Sequence, residues 1–156
     1  MQLTSARGER SVPIGEFFLL PGNTPQRETV REPDELIISV TLPAPLAGAR
    51  STYLKLRDRA SYEFALASAA AIVTVVDGTI EHARLAMGGV GTKPWRNPEA
   101  EAALSGKPPV PETFTHAAEI FVRDAKPQTQ NGFKVELAKR CLIAALTYVT
   151  SRETAR

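Results

Sequence analysis

Gly88, Gly89 and Gly91 lie in the stretch LAMGGVGTKPWR, residues 85–96, directly after a run that reads as a strand. Glycines in that position can present backbone N–H groups to a phosphate, so nucleotide binding is the first chemistry to test. A dinucleotide loop needs G-x-G-x-x-G between a strand and a helix. Gly89 and Gly91 supply the first pair, but Pro94 stands where the third glycine belongs. A phosphate loop needs Gly-Lys followed by Ser or Thr, and the chain offers Gly91-Thr92-Lys93. The following KPWRNP is turn-like, which starts the next helix too late to aim its N-terminus at an anion. The favoured reading is a turn in which glycine permits positive φ and close backbone packing, with a nucleotide as the alternative.

The other reactive side chains are sparse. His82, His116 and Cys141 are the available soft metal ligands, and no two are near one another in sequence. The pattern makes His82 a sheet-surface residue, His116 a boundary residue beside an apolar helix stripe, and Cys141 a small buried hydrophobe. A Cys–His nucleophilic pair finds no support in the spacing. Glu99 with Glu101, and Asp34 with Glu35, read as helix-start and turn carboxylates whose contexts do not suggest burial. Carboxylates used for acid–base work need a pocket and a raised pKa. Lys55, Arg57, Asp58 and Arg59, in YLKLRDRASYEFA, are dense charges at the end of a strand pattern. They are either an exposed sheet edge or a site for an anionic or polar ligand, such as a flavin or a phosphate.

These groups must be held by one domain, to judge from a chain of 156 residues that is 43% hydrophobic and 23% charged. A net charge of +2, with acidic and basic residues interspersed as in REPDE, gives no basic patch for nucleic acid. A single cysteine points to a reducing compartment, and MQLTSARGER lacks the apolar core of a signal peptide. The most apolar window, FALASAAAIVTVV, is too short to cross a bilayer as a helix, so no membrane insertion is expected.

Strand patterns come first along the chain and helix patterns last. RSVPIGEFFLLPG predicts a short strand and one turn of helix, and LIISVTLP a strand stopped by Pro43. STYLKLRDR alternates, with Tyr53, Lys55 and Arg57 on one side and Leu54 and Leu56 on the other. Residues 67–88 predict an antiparallel hairpin about Asp77-Gly78, with Ala83, Leu85 and Met87 on its apolar side. Asn97-Pro98 followed by acidic residues predicts a short helix ending at Gly106. Phe114, Ala117, Ala118, Phe121 and Ala125 mark a second helix, stopped by Lys126-Pro127. Leu137, Cys141, Ala144 and Tyr148 mark one face of a terminal helix over about 132–151. The fold class is α+β: an antiparallel sheet of three to four strands covered on one face by about three C-terminal helices.

Six stretches in this order, VPIGEFFLLPG, RETVREPDELIISVTLP, YLKLRDRASYEFALASAA, ARLAMGGVGTKPWR, EAEAALSG and FKVELAKR, resemble the FAD-binding medium subunit of molybdopterin-dependent dehydrogenases. That family includes the xanthine dehydrogenases, aldehyde oxidoreductases and carbon monoxide dehydrogenases. The resemblance implies an oxidoreductase component that relays electrons from molybdenum and iron–sulfur centres through FAD to an acceptor. It implies a molybdopterin-binding large subunit and a 2Fe–2S small subunit as partners, in the cytoplasm or, by co-export, the periplasm. The family's AGGT-type loop and Gly-Gly-Asn stretch do not occur here. The resemblance therefore places residues 1–50 at the end of the FAD-binding domain and residues 51–156 in the C-terminal α+β domain. By the same resemblance Lys55 matches a lysine near the flavin and Ile37 an apolar residue packed beside it. Both serve only where the other half of the flavin site is supplied, for instance by a separate N-terminal FAD-binding piece. The competing expectation is a non-catalytic docking module, or a truncated remnant, that binds no FAD.

Overall fold

The computed structural model describes residues 1–151. The chain divides into two compact units, Met1–Pro45 and Leu46–Arg156.

The first unit holds β1 (Gln2–Ser5), β2 (Gly8–Ser11), the helical turn α1 (Ile14–Phe17) and β3 (Leu36–Ser39). They form an antiparallel sheet in the order β2-β1-β3. β1 has a polar sequence without strand periodicity; its single apolar contribution is Leu3, which is buried with Val12 and Phe17 in a core of three residues. The strand expected through LIISVTLP is shorter than its apolar run. Its partner β1 offers only Gln2–Thr4 for pairing, so the ladder ends at Ser39, four residues before Pro43. Glu35 corrects a second expectation. It is buried, and its carboxylate accepts Arg10 Nε and Nη2 at 2.6 and 2.8 Å and the Glu32 N–H at 2.7 Å. The Arg10 guanidinium and the Glu32 amide hold its pKa down to about 2.

The second unit is a three-stranded antiparallel sheet, β4 (Arg50–Leu56), β5 (Ala67–Val76) and β6 (Thr79–Gly88), in the order β4-β5-β6. Three helices follow: α2 (Pro98–Leu104), α3 (Pro111–Val122) and α4 (Phe133–Ser151). This is the α+β arrangement expected. The β5–β6 turn puts both Asp77 (φ 49°) and Gly78 (φ 74°) in the left-handed region, the geometry that Asp-Gly accommodates and that matches strand twist. β5 looks uniformly apolar but buries Ala67, Ala69, Ala71 and Val73 alternately, which leaves Ile72 half-exposed on the opposite face. Small alanines on the buried side let α4 lie close against the centre of the sheet.

Asn97 caps α2 as its sequence suggests, with Oδ1 accepting the Glu99 and Ala100 N–H groups at 3.0 and 3.3 Å. Its Nδ2 also donates to the Ile120 carbonyl, tying α2 to α3. Phe114, Ala117, Ala118 and Phe121 form the buried stripe of α3, while His116 is exposed rather than at the boundary. The stripe expected on α4 is rotated. The buried face is Ala138, Cys141, Leu142, Ala145, Leu146 and Val149, and Ala144 and Tyr148 are exposed. No helix among the described residues is long and apolar enough to cross a membrane.

Candidate functional site

Strand alternation sets the site on β4. Leu54 and Leu56 turn toward the helices and pack on the core, so Lys55 falls on the opposite face. Its neighbours across the sheet are small, because Lys55 pairs with Ser68 and Ser68 pairs with Gly88. Residues 57–66 then link β4 to β5, and two cations organise this link. Lys55 Nζ donates to the Glu63 carbonyl at 2.5 Å. Arg59 Nη2 donates to the Tyr62 carbonyl at 2.5 Å, and Arg59 Nε lies 3.2 Å from the Glu63 carboxylate. Arg57 and Asp58 are exposed in the same link.

The link shows two unusual features. Tyr62 has φ 52°, a left-handed conformation that an aromatic residue rarely takes. Tyr62 and Phe64 are also 97% and 91% exposed, although large aromatics normally gain most from burial. With Lys55 and Glu63 they line an open recess of about 410 Å³. One of the three Lys55 N–H donors is used by Glu63, which leaves two for a ligand. An ammonium beside two bare aromatic faces suits a flat, conjugated molecule bearing hydrogen-bond acceptors. The sequence pointed to Lys55 but missed Tyr62 and Phe64, which follow no period; two aromatics within a charged strand-end link were the available signal.

Within the glycine stretch of residues 88–91, Gly89 backs onto this link. Gly89 has φ 72°, and a Cβ placed on it would meet the Ala65 carbonyl oxygen at 2.7 Å. A Cβ on Gly88 would meet Ser68 Oγ at 2.8 Å. The loop closes through paired Met87 and Trp95 backbone bonds of 2.8 Å each, and Lys134 Nζ pins the Gly89 carbonyl at 2.9 Å. Glycine is needed at 89 because the loop backs directly onto the chain leaving Phe64.

Cys141 is buried, and desolvation pushes its thiol pKa up to about 11, the opposite of a nucleophile. His82 is exposed on β6. No three of His, Cys, Asp and Glu come together as a metal site among the described residues. Glu99 accepts Arg123 at 2.9 and 2.8 Å on the surface. Glu101, expected to lie outside any buried context, is buried against β6. Burial works to raise its pKa, but hydrogen bonds from Arg96 and the Leu85 amide outweigh that and keep it below the usual carboxylate range. Ile37, the other expected site residue, is on β3 opposite Leu3 in the first unit and is half-exposed. Lys55 and Ile37 thus belong to different units.

Residues 51–149 match the CO dehydrogenase flavoprotein C-terminal domain. The chain is 47% identical over 138 residues to the aldehyde oxidoreductase FAD-binding subunit of Escherichia coli, covering 88% of this chain and 40% of that protein. It is 37% identical over 105 residues to the glyceraldehyde dehydrogenase medium chain of Sulfolobus acidocaldarius, covering 67% of this chain and 35% of that one. Among solved structures, a carbon monoxide dehydrogenase from Hydrogenophaga pseudoflava superposes with a TM-score of 0.85 at 28% identity, over 96% of this chain and 52% of that chain. The chain therefore spans about half, or less, of the length of the relatives it matches.

Proposed function

Since the chain belongs to the CO dehydrogenase flavoprotein C-terminal domain family, we propose that it forms the C-terminal part of the FAD-binding medium subunit of a molybdenum hydroxylase. The observation that supports this most directly is the Lys55 recess, an ammonium and two bare aromatic rings on the matched domain. The residues present fit one side of a flavin. They offer donors for ring carbonyls and apolar surface for the ring. FAD supplies redox chemistry that no side chain can, accepting and releasing electrons singly or in pairs. The chain's own part is positional. Lys55 would hold a ring oxygen through its two remaining N–H groups, and Tyr62 and Phe64 would keep water from the ring. Residues 1–50 would complete the FAD-binding domain and residues 51–156 would form the C-terminal domain. The partners under this reading are a molybdopterin-binding large subunit, a 2Fe–2S small subunit and a polypeptide carrying the remaining flavin contacts.

The test is FAD titration of the full chain alone and co-expressed with the part of the E. coli subunit that the match does not span. The chain alone should bind weakly or not at all. The co-expressed pair should be yellow, and Lys55→Ala should weaken its FAD affinity by about tenfold, the scale of one charge-assisted hydrogen bond. A colourless pair, or FAD binding indifferent to Lys55, would sink the reading.

A further inference from the structure

We infer that the recess between the glycine loop, the end of α3 and the start of α4 is a binding site for a short apolar monocarboxylate. It shares no residue with the Lys55 recess and stands independently of the flavin reading. The cavity measures about 70 Å³, several times the space that one water needs. Val90, Trp95, Val122 and Val135 form its apolar walls. The first three of these pack on the core of the second unit. Trp95 is fixed from two directions, since its ring meets Phe121 edge-on at 5.9 Å and its backbone pairs with Met87. A wall held in place before binding spares a small ligand the cost of ordering it.

The polar side chains of the recess are Lys126, Asn131 and Lys134, and no Asp or Glu lines it. Asn131 Oδ1 is occupied by the Gln128 N–H at 2.6 Å, which leaves its Nδ2 group to donate. Lys134 gives one N–H to the Gly89 carbonyl at 2.9 Å and keeps two. Lys126 has no hydrogen-bond or ion-pair partner among the described residues. The side-chain groups left over are therefore all donors, and two of them carry a positive charge. Donors of that kind, set around an apolar cavity of this size, match a carboxylate on a chain of about three to five carbons. A cationic ligand would meet two ammoniums of its own sign, and a bare inorganic anion would leave the walls uncovered.

The experiment titrates the full chain with 3-methylbutanoate and follows the fluorescence of Trp95, the chain's single tryptophan. The expected result is a saturable change with half-saturation at about 1 mM or below. Acetate lacks the apolar chain and 3-methylbutanol lacks the charge, so each should bind at least about tenfold more weakly. Lys126→Gln should weaken the binding by about fivefold, the scale of one exposed charge. Lys126 is exposed and unpaired, so the change should leave the melting temperature unaltered. Ala125→Leu places a larger side chain in the cavity and should abolish binding. No saturable response up to about 20 mM would overturn the proposal. So would acetate binding as tightly as 3-methylbutanoate, which would mark an adventitious ion only, or the alcohol doing so. Binding indifferent to both Lys126→Gln and Ala125→Leu would place the ligand elsewhere and overturn it as well.

Discussion

Arg96 grips Glu101 with two parallel hydrogen bonds, Nε to Oε1 at 2.8 Å and Nη2 to Oε2 at 2.7 Å, and the same Oε1 accepts the Leu85 amide of β6 at 3.0 Å. One buried carboxylate thus joins three pieces: the end of the glycine loop, the first turn of α2 and an amide of the sheet. Removing it strands a buried N–H and leaves the guanidinium unpaired. Glu101→Ala should destabilise the fold by about 2–3 kcal/mol, below the cost of breaking a fully buried pair because Arg96 is half-exposed. Arg123→Ala, which removes the solvent-screened surface pair with Glu99, should cost far less. Urea unfolding of the two variants checks the contrast.

Acid should act through the same kind of group. Glu35, Glu99, Glu101 and Glu136 all titrate below their ordinary value of 4.5, with Glu35 at about 2. A carboxyl whose folded pKa is depressed adds stability above its unfolded pKa and loses it as pH falls through the folded one. Melting temperature should therefore hold level above about pH 5 and decline from about pH 4.5 towards 2. Glu35→Gln should flatten part of that decline. A melting temperature that rises on acidification would contradict the assigned directions.

The glycine loop gives a prediction in which two nearby glycines differ. At Gly89 a methyl group needs both φ 72° and the space held by the Ala65 carbonyl, so Gly89→Ala should destabilise by about 2 kcal/mol or more. At Gly91 a Cβ would meet the Lys93 carbonyl at an ordinary 3.7 Å, so Gly91→Ala should stay within about 0.5 kcal/mol. Thermal melts decide this. A phosphate-binding loop would instead lose ligand affinity at both positions.

What local chemistry dictates could be read from the chain, and what the tertiary fold decides could not. Asp77-Gly78 sets a turn by its own backbone preferences, and Asn97-Pro98 starts a helix by its own cap, so both elements stand where the pattern put them. The α4 face could not be chosen. Leu137, Cys141, Ala144 and Tyr148 form one apolar stripe, and Ala138, Cys141, Leu142, Ala145 and Leu146 another. Only the alanine row of β5 selects between them. Glu101 carries no mark of burial, because its partner amide on Leu85 lies sixteen residues away and meets it only in the fold. The site was half visible for the same reason. Lys55 announces itself at a strand end, whereas the exposure of Tyr62 and Phe64 depends on where the link turns.

Cys141 tests the burial of α4 directly. A thiol raised to about 11 and packed beneath the sheet is almost wholly protonated at pH 8 and shielded from reagent. Dithionitrobenzoate should leave it unmodified in the native protein and titrate one thiol after unfolding in guanidinium. Rapid reaction in the native state would mean that α4 detaches from β4 and β5.

Tyr62 separates stability from function most sharply. At φ 52° a tyrosine holds a conformation that glycine adopts freely, and its ring is almost fully exposed, so the fold gains little from it. Tyr62→Gly should thus leave melting temperature unchanged or raise it slightly, the relief of strain offsetting the freedom gained by the unfolded chain. In the FAD-loaded pair the same change should weaken flavin binding by about tenfold, by removing an aromatic face that only the ligand covers. Loss of stability with unchanged FAD affinity would make Tyr62 a structural residue of the link. Unchanged stability with lost affinity would identify its strained backbone as the means by which the chain presents a ring to the flavin.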